Sequence, residues 1–267
     1  MKNFFFLHLL LALLCSNLSN CQPQPTEIKS ITIKVKLFTT DKLGNFYVVN
    51  SRNELQKFDS TGKYLNTQSY KVMGNITSID ATNPLQVVLY YKQLDQAVLI
   101  DNYFQVKESI SFINPEIGKA GMVCRSSDNG WWVWDDNRQR LKKFNHQMKL
   151  LFESDPLQFG SEQPTIEKIS ECNNHLYLLS PSHGIILFDW FGKYHSTLPF
   201  KGASSLQCAE DRIYFFGNQK FQTYHLNSLQ LSEINLPPSN NTYLSARIEN
   251  KVLYTVTKNA VTLYRFQ

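Results

Sequence analysis

The residues most able to do chemistry stand in, or next to, short polar loops that follow strongly apolar segments. Their carboxylates and imidazole are groups that can transfer protons, and an indole can stack on a sugar ring. The members of this loop set are Arg52, Lys92, Trp134, Asp135, Asp136, Arg138, His183, Lys220 and Lys258. Either they converge into one mixed-charge site or they are solvated turn residues. Which alternative holds depends on how the strands place these loops.

Several residue patterns that accompany catalysis are absent from the sequence. There is no His-Glu-x-x-His pair, no Gly-x-Ser-x-Gly turn, no glycine-rich phosphate loop and no EF-hand loop. The 6 histidines and 5 cysteines lack the spacing of metal ligands. The sequence therefore predicts neither a metal nor a cofactor, and it favours a non-catalytic role over an enzyme.

Composition indicates a folded, strand-rich chain of moderate charge. Of the 267 residues, 42% are hydrophobic and 13% aromatic, which suits β-strands. The net charge is +5, and the sequence contains no Lys/Arg-rich cluster. Because such clusters supply the contacts to phosphate groups, nucleic-acid binding is not expected.

The N-terminus has the pattern of an export signal. Lys2 precedes an apolar run over residues 4–14, about half the length of a membrane-spanning helix. Residues 18–21 (LSNC) resemble a bacterial lipobox that would lipidate Cys21, although Asn20 departs from the usual small residue. The alternative is ordinary cleavage after Cys21. We expect a signal segment over 1–21, a linker over 22–27, and a protein that is periplasmic, anchored to a membrane by lipid, or secreted.

A pattern of about forty residues recurs six times in the rest of the chain. Each unit has an apolar strand, a polar loop and a further strand that ends in an aromatic residue. The apolar strands are residues 46–49 (FYVV), 87–90 (VVLY), 131–134 (WWVW), 176–179 (LYLL), 213–216 (IYFF) and 252–256 (VLYTV). Roughly four strands per repeat predict propeller blades, whereas a β-sandwich would not show such even internal similarity.

The two ends of the chain predict how the ring closes. The last unit stops after three strands, while residues 27–38 alternate apolar and polar side chains ahead of the first unit. As the fourth strand of the last blade, this segment would remove an open sheet edge. We therefore expect an all-β fold: one six-bladed β-propeller over residues 28–267, with four-stranded antiparallel blades and the last blade closed by the N-terminal strand.

The first unit closely resembles an NHL repeat. The matching residues are Asp41, Gly44, Asn45, Tyr47, Val48, Asn50, Leu55, Phe58, Asp59, Gly62 and Lys63. The other units match in outline, so the chain is similar to six-bladed propellers of the NHL-repeat/TolB-like type in exported bacterial (Bacteroidetes-like) proteins. The resemblance implies a ligand site at one end of the central channel, where the loop set described above would converge.

The resemblance extends to calcium-dependent lactonases and zinc-dependent lyases, whose metal ligands sit around the channel. In the comparable loops of this chain, Arg52, Lys92, Lys220 and Lys258 would repel a cation. This argues against a metal site.

The cysteines and tryptophans of the repeats are expected to have packing roles. Cys124, Cys172 and Cys208 occupy comparable places in their blades. Because equivalent positions in adjacent blades usually exceed the roughly 7 Å Cα separation that a disulfide spans, buried free thiols are expected. At least one residue of the Trp131, Trp132 and Trp134 cluster should fill the space between blades, and another could lie at the rim.

Two functions remain open. The favoured one is a non-catalytic protein-interaction scaffold of the bacterial cell envelope, which presents the loop set and the longer segments 112–121 and 154–165 to a protein partner. The alternative is a small-molecule or carbohydrate-binding propeller, or an enzyme, with its site at the channel mouth. A deep polar funnel would favour a small ligand, and a flat apolar patch would favour a protein.

Overall fold

The computed structural model describes residues 25–266, and within this range 24 strands form six four-stranded antiparallel sheets. The first strands of the chain are β1 (Thr26–Thr32), β2 (Val35–Thr40), β3 (Phe46–Asn50), β4 (Glu54–Phe58), β5 (Tyr64–Ser69), β6 (Ser78–Asp80), β7 (Val87–Tyr91), β8 (Gln96–Ile100), β9 (Val106–Ser111), β10 (Ala120–Arg125), β11 (Trp131–Asp135) and β12 (Arg140–Phe144). The remaining strands are β13 (Leu150–Glu153), β14 (Lys168–Cys172), β15 (His175–Ser180), β16 (Gly184–Asp189), β17 (Tyr194–Leu198), β18 (Ala203–Cys208), β19 (Arg212–Gly217), β20 (Lys220–His225), β21 (Leu231–Ile234), β22 (Tyr243–Glu249), β23 (Val252–Thr257) and β24 (Ala260–Arg265). Short 3₁₀ turns cover Lys71–Met73 and Lys92–Leu94.

The predicted six-bladed propeller is confirmed. Blades 1 to 5 are β2–β5, β6–β9, β10–β13, β14–β17 and β18–β21, each a meander in chain order. Blade 6 combines β22, β23 and β24 with β1, which pairs antiparallel to β24. The expected closing strand is therefore present, but it spans only Thr26–Thr32; the rest of the predicted segment enters blade 1 as β2.

The first strands line the central channel, because they contact one another in turn from blade 3 through blades 4, 5, 6 and 1 to blade 2. The ring closes where β2 of blade 1 meets β22 of blade 6. The loops from first to second strands share one end of the channel, here called the cavity end: residues 41–45, 81–86, 126–130, 173–174, 209–211 and 250–251. The loops from second to third strands share the opposite end, called the rim end: residues 51–53, 92–95, 136–139, 181–183, 218–219 and 258–259.

A repeated turn explains why Asp or Asn stands at the end of the third strands of blades 1 to 4. The Asp59 carboxylate accepts hydrogen bonds from the backbone N–H groups of Thr61 and Lys63, both at 2.9 Å. Asp101, Asn145 and Asp189 make the same pair of bonds in blades 2 to 4. Each side chain thereby replaces the strand pairing that the backbone loses in the turn. The residue three positions after Asp59 is Gly62 with φ 77°, where a side chain would be strained.

The hydrophobic core lies between adjacent blades. The second strands are buried on both faces; β3, β7 and β11 have no residue that is exposed or half-exposed. This is the reason that their sequences are continuous apolar runs instead of alternating ones. In the described part of the chain, no helix is long and apolar enough to cross a membrane.

Candidate functional site: the channel cavity

The loop set lies at the rim end, and several of its charges are paired within their own blade. Arg52 Nη2 lies 3.0 Å from Glu54 Oε2, and Lys220 Nζ lies 2.8 Å from Glu233 Oε2. Both cations are more than half exposed, so these ion pairs are solvated and each contributes at most about 1 kcal/mol.

Lys92 and Asp136 are brought together from blades 2 and 3. The Lys92 ammonium donates to Asp136 Oδ2 at 2.8 Å. This ion pair connects the rim-end loops 92–95 and 136–139. The two charges therefore bind each other in this structure.

Asp135 is a buried structural carboxylate. Its Oδ2 lies 2.9 Å from the ammonium of Lys142, and both side chains are 0% exposed. Its Oδ1 accepts from the backbone N–H groups of Asn137 at 3.0 Å and Arg138 at 3.1 Å. Burial opposes ionisation, but the Lys142 ammonium and these N–H groups outweigh it and hold the pKa of Asp135 below its usual value. The carboxylate organises the turn and faces no solvent.

The tryptophan cluster is packed inside the core between blades. Trp131, Trp132 and Trp134 are each at most 1% exposed. Trp132 also donates from Nε1 to Glu171 Oε2 at 2.6 Å, which ties blade 3 to blade 4. Trp134 therefore presents no surface on which a sugar could stack, and the whole cluster has the packing role.

His183 and Lys258 complete the loop set. The His183 Nδ1 atom lies 2.8 Å from Ser182 Oγ, and its ring centroid lies 4.8 Å from that of Phe159. The Lys258 carbonyl accepts from the backbone N–H of Val35 at 3.0 Å. A binding role for the rim-end residues stays a prediction.

A large cavity opens at the opposite end of the channel. Its volume is about 670 Å³, and its walls are mainly residues of the first strands of blades 1, 2, 4, 5 and 6 together with loops of the cavity end. The ionisable side chains of the inner wall are Asp80, Lys168, Glu171, Arg247 and Glu249. Three strands that are far apart in sequence, β6, β14 and β22, thus contribute charged groups to one polar chamber.

Lys168 is the most perturbed cation of the chamber. It is half-buried on β14, and its ammonium makes no hydrogen bond or ion pair with any residue in the range 25–266. Burial is the main reason that the pKa of Lys168 falls to about 7; the charge of Arg247 lowers it further, and Asp80 and Cys124 oppose the fall. Its positive charge is therefore costly at this position.

Arg247 is the second cation of the chamber. Its side chain on β22 is buried, and Nε donates to Thr40 Oγ1 at 2.8 Å while Nη1 donates to the Leu206 carbonyl at 3.1 Å. Burial lowers the pKa of Arg247 to about 10, so it stays charged at neutral pH. These two bonds connect blade 6 to blades 1 and 5 and fix the guanidinium in place.

The carboxylates of the chamber accept hydrogen bonds from the protein. Glu249 Oε1 accepts from Thr40 Oγ1 at 3.0 Å and from Gln207 Nε2 at 2.8 Å. Burial raises the pKa of Glu249 above its usual value, although Arg247 opposes this. Asp80 Oδ1 accepts from the backbone N–H of Thr82 at 3.0 Å.

Both carboxylate oxygens of Glu171 accept hydrogen bonds from blade 3. Its two oxygens accept from Ser126 Oγ at 2.6 Å, from the Ser127 N–H at 2.9 Å and from the Trp132 indole. Within residues 25–266, no three His, Cys, Asp or Glu side chains are placed to hold a metal ion.

A disulfide in the chamber wall corrects one prediction. Cys172 and Cys208 are bonded, with Cα atoms 6.5 Å apart, so the expectation of free thiols is wrong for this pair. The reason is that β14 and β18 are adjacent first strands, and blades lie closest together next to the channel. Cys124 is a buried free thiol as expected, and burial raises its pKa.

The chamber residues were not among the predicted site residues, because they lie within the first strands and not in polar loops. The signal for them is alternation inside the first strands: Lys168, Ser170 and Cys172 are spaced by two, as are Arg247 and Glu249. Side chains spaced by two share one face of a strand, and Lys168, Ser170 and Cys172, like Arg247 and Glu249, all line the chamber. Two charged residues at this spacing in an innermost strand are the feature to look for.

Comparison with known proteins shows the fold alone. No protein-family model and no curated protein sequence matches the chain. Among solved structures, virginiamycin B lyase from Staphylococcus aureus matches with a TM-score of 0.63 at 9% identity, over 90% of this chain and 99% of that one. The WD40 domain of Neurospora crassa Pan2 matches with a TM-score of 0.64 at 7% identity, over 92% and 98%. A streptogramin B lyase matches with a TM-score of 0.59 at 13% identity, over 88% and 80%. An enzyme and a WD40 domain are thus both similar in fold to this chain, and function has to be argued from the site.

Proposed function

We propose that this chain is an exported β-propeller that binds a small molecule in the channel cavity. The observation that carries the proposal is a chamber of about 670 Å³ whose wall holds charged, partly desolvated side chains. This volume lies within the range of roughly 300–1,000 Å³ that is usual for small-molecule sites. A deep polar chamber favours a small ligand over a protein surface, so we prefer this function to the scaffold.

The test is to block the chamber without disturbing its hydrogen bonds. Ser170 lies on the chamber wall in β14, and its side chain makes no hydrogen bond within the described part of the chain. Ser170→Phe would fill the space. Ser109→Phe, on the exposed outer strand β9, is the matched control.

A metabolite library is screened by thermal unfolding of the mature protein. A ligand at 100 times its Kd adds about 2.7 kcal/mol, which corresponds to roughly 5–10 °C for a domain of this size. We expect a hit to stabilise the wild type and Ser109→Phe, and to leave Ser170→Phe unchanged. A hit that stabilises all three proteins equally would show that the ligand binds elsewhere.

The proposal includes export through residues 1–21 and, for the lipoprotein form, lipid on Cys21 that anchors the protein to a membrane. Both features lie outside the described residues. The Cys172–Cys208 disulfide supports export, because disulfides persist in oxidising compartments. An affiliation with bacterial envelope propellers of the NHL-repeat/TolB-like type belongs to the same proposal. Labelling with a fatty acid that is lost in Cys21→Ser would establish the anchor; equal labelling would refute it.

A protein-interaction scaffold is the second candidate, and one surface feature favours it. A groove of about 720 Å³ lies beside segment 154–165, outside the channel, and its wall includes Phe152, Leu157, Phe159 and Tyr194. Tyr194 is 43% exposed at the start of β17. A protein partner in the envelope could dock there.

The scaffold is tested by purification of the tagged protein from detergent-solubilised membranes. Tyr194→Asp should release a partner held in the groove, whereas Tyr64→Asp should not. Tyr64 is the equivalent residue of blade 1; it is 50% exposed and packs edge-on against Phe58 as Tyr194 packs against Phe188. Equal recovery of the partner with both variants would remove the groove from consideration.

A further inference from the structure

The two cations of the inner wall, Lys168 and Arg247, have N–H groups that bond to no described residue; Lys42 lines the chamber from a loop of the cavity end. The Lys168 ammonium offers three N–H groups, and none of them is bonded to a residue in the described range. Arg247 has five N–H groups, of which one on Nε and one on Nη1 are bonded to the protein. The chamber therefore presents unused donors from positively charged groups.

The chamber acids do not neutralise these cations through ion pairs. Glu171 accepts hydrogen bonds on both oxygens from blade 3. Glu249 is held by Thr40 and Gln207, and Asp80 by the backbone of its own turn. Within the described residues, no carboxylate lies within ion-pair distance of either cation.

The two cations flank one strand of the wall. Lys168 is on β14 and Arg247 is on β22, and both of these strands contact β18 between them. The guanidinium is anchored to β18 through the Leu206 carbonyl. An acceptor that enters the chamber can reach both sides of β18 at once.

We propose that the ligand carries an anionic group, a carboxylate or a phosphate, that binds between the Lys168 ammonium and the Arg247 guanidinium. The inference rests on the proposed function of the chamber and specifies its ligand class. An anion placed there satisfies unused donors and relieves the repulsion between two partly desolvated like charges. A neutral ligand would leave that repulsion in place.

Anion binding is then coupled to uptake of a proton by Lys168. The groups whose charge acts on this ammonium are Arg247 on β22, Asp80 on β6 and Cys124 on β10, and Glu249 on β22 lines the same chamber. With the pKa of Lys168 near 7, an anion that needs its charged form binds roughly tenfold more weakly at pH 8 than at pH 6. Glu249→Gln should retain this pH dependence, whereas Lys168→Met should abolish it.

The experiment follows acetylation of single lysines in the mature protein by mass spectrometry. Sulfate stands for a phosphate group and benzoate for a carboxylate, because neither titrates between pH 6 and pH 8; benzyl alcohol is the uncharged control. We expect sulfate, benzoate or both to slow acetylation of Lys168 several-fold and to leave exposed Lys34 unaffected. Slower acetylation of Lys168 with sulfate indicates a phosphate as the ligand group, and slower acetylation with benzoate indicates a carboxylate.

Thermal unfolding supplies a second readout. Sulfate also stabilises proteins by exclusion from their surface, so only the part of the Tm rise that is lost in Lys168→Met and kept in Lys34→Met counts as site binding. Lys168→Met breaks no hydrogen bond of the described residues and should fold. Lack of protection by both anions, with an equal Tm rise in all three proteins, would overturn anion recognition.

The outcomes separate this inference from the function on which it rests. If a library compound without an anionic group stabilises the wild type but not Ser170→Phe, the chamber binds small molecules and the anion inference is wrong. If neither the anions nor any library compound discriminates Ser170→Phe from Ser109→Phe, the proposed function fails with it.

Discussion

Replacing Lys168 by Met should stabilise the protein, and the gain should shrink as pH rises. The ammonium is half-buried, lies beside Arg247 and makes no ion pair with a described residue. Met has a similar length and needs no solvation, so it fits the same space without the cost of a desolvated charge.

The sign and size follow from the two pKa values of the side chain. In the unfolded chain a lysine titrates near 10.4, whereas in the folded chain Lys168 titrates at about 7. Between these values the unfolded state binds one more proton, so wild-type stability rises with pH. The penalty is fully present below pH 7 and is gone above about pH 10; from pH 7 to pH 9 it falls by about 2 kcal/mol.

Urea unfolding of the wild type, Lys168→Met and Lys34→Met at several pH values measures this difference. Only the difference between variants is used, because many other groups titrate in the same range. We expect Lys168→Met to be the most stable protein at pH 7 and to converge on the wild type toward pH 9 and above. Parallel profiles for the wild type and Lys168→Met would refute the desolvated-ammonium reasoning.

Three further perturbations test the framework around the chamber. Changing Cys172 and Cys208 together to Ser should lower the free energy of unfolding by up to about 4 kcal/mol, because the bond closes a loop over a sequence separation of 36; a denaturant midpoint equal to that of the reduced wild type is the expected control result. Lys142→Met should cost about 3–5 kcal/mol, since it leaves the buried Asp135 carboxylate without its ammonium; a loss below 1 kcal/mol in urea would contradict this. Deleting residues 25–33 should lower Tm and expose β24 as an open edge, which light scattering would detect as aggregation; a monomer of unchanged Tm would exclude β1 as the closing strand.

The architecture was predictable because the blades repeat the same short sequence patterns. Apolar runs such as residues 46–49 and 131–134 mark second strands buried on both faces. Asp59 and its counterparts mark the turns that follow the third strands. Each of these signals acts within a few residues, so a sequence displays them directly. The boundary between β1 and β2 was less visible, because the alternating pattern continues across both strands.

Interactions between blades were predicted poorly. The comparable places of Cys172 and Cys208 suggested separation, yet first strands converge beside the channel and bring their Cα atoms to 6.5 Å. Trp134, considered for a ligand platform, is 0% exposed because blades 3 and 4 close over it. Both outcomes depend on distances between sheets, which the local pattern of either sheet does not contain.

The sequence by itself determined the strand periodicity, the six repeats and the turn chemistry, since these depend on neighbours along the chain. The closure pairs β1 with β24 from opposite ends of the chain, and it was predictable because the last repeat has one strand fewer than the others. Only the tertiary structure decided which charged side chains line one cavity. Asp80, Lys168 and Arg247 come from blades 2, 4 and 6, and ring closure alone makes them neighbours. Their charges then act on each other through a partly desolvated space, which is why the pKa of Lys168 is a property of the closed ring and not of its own strand.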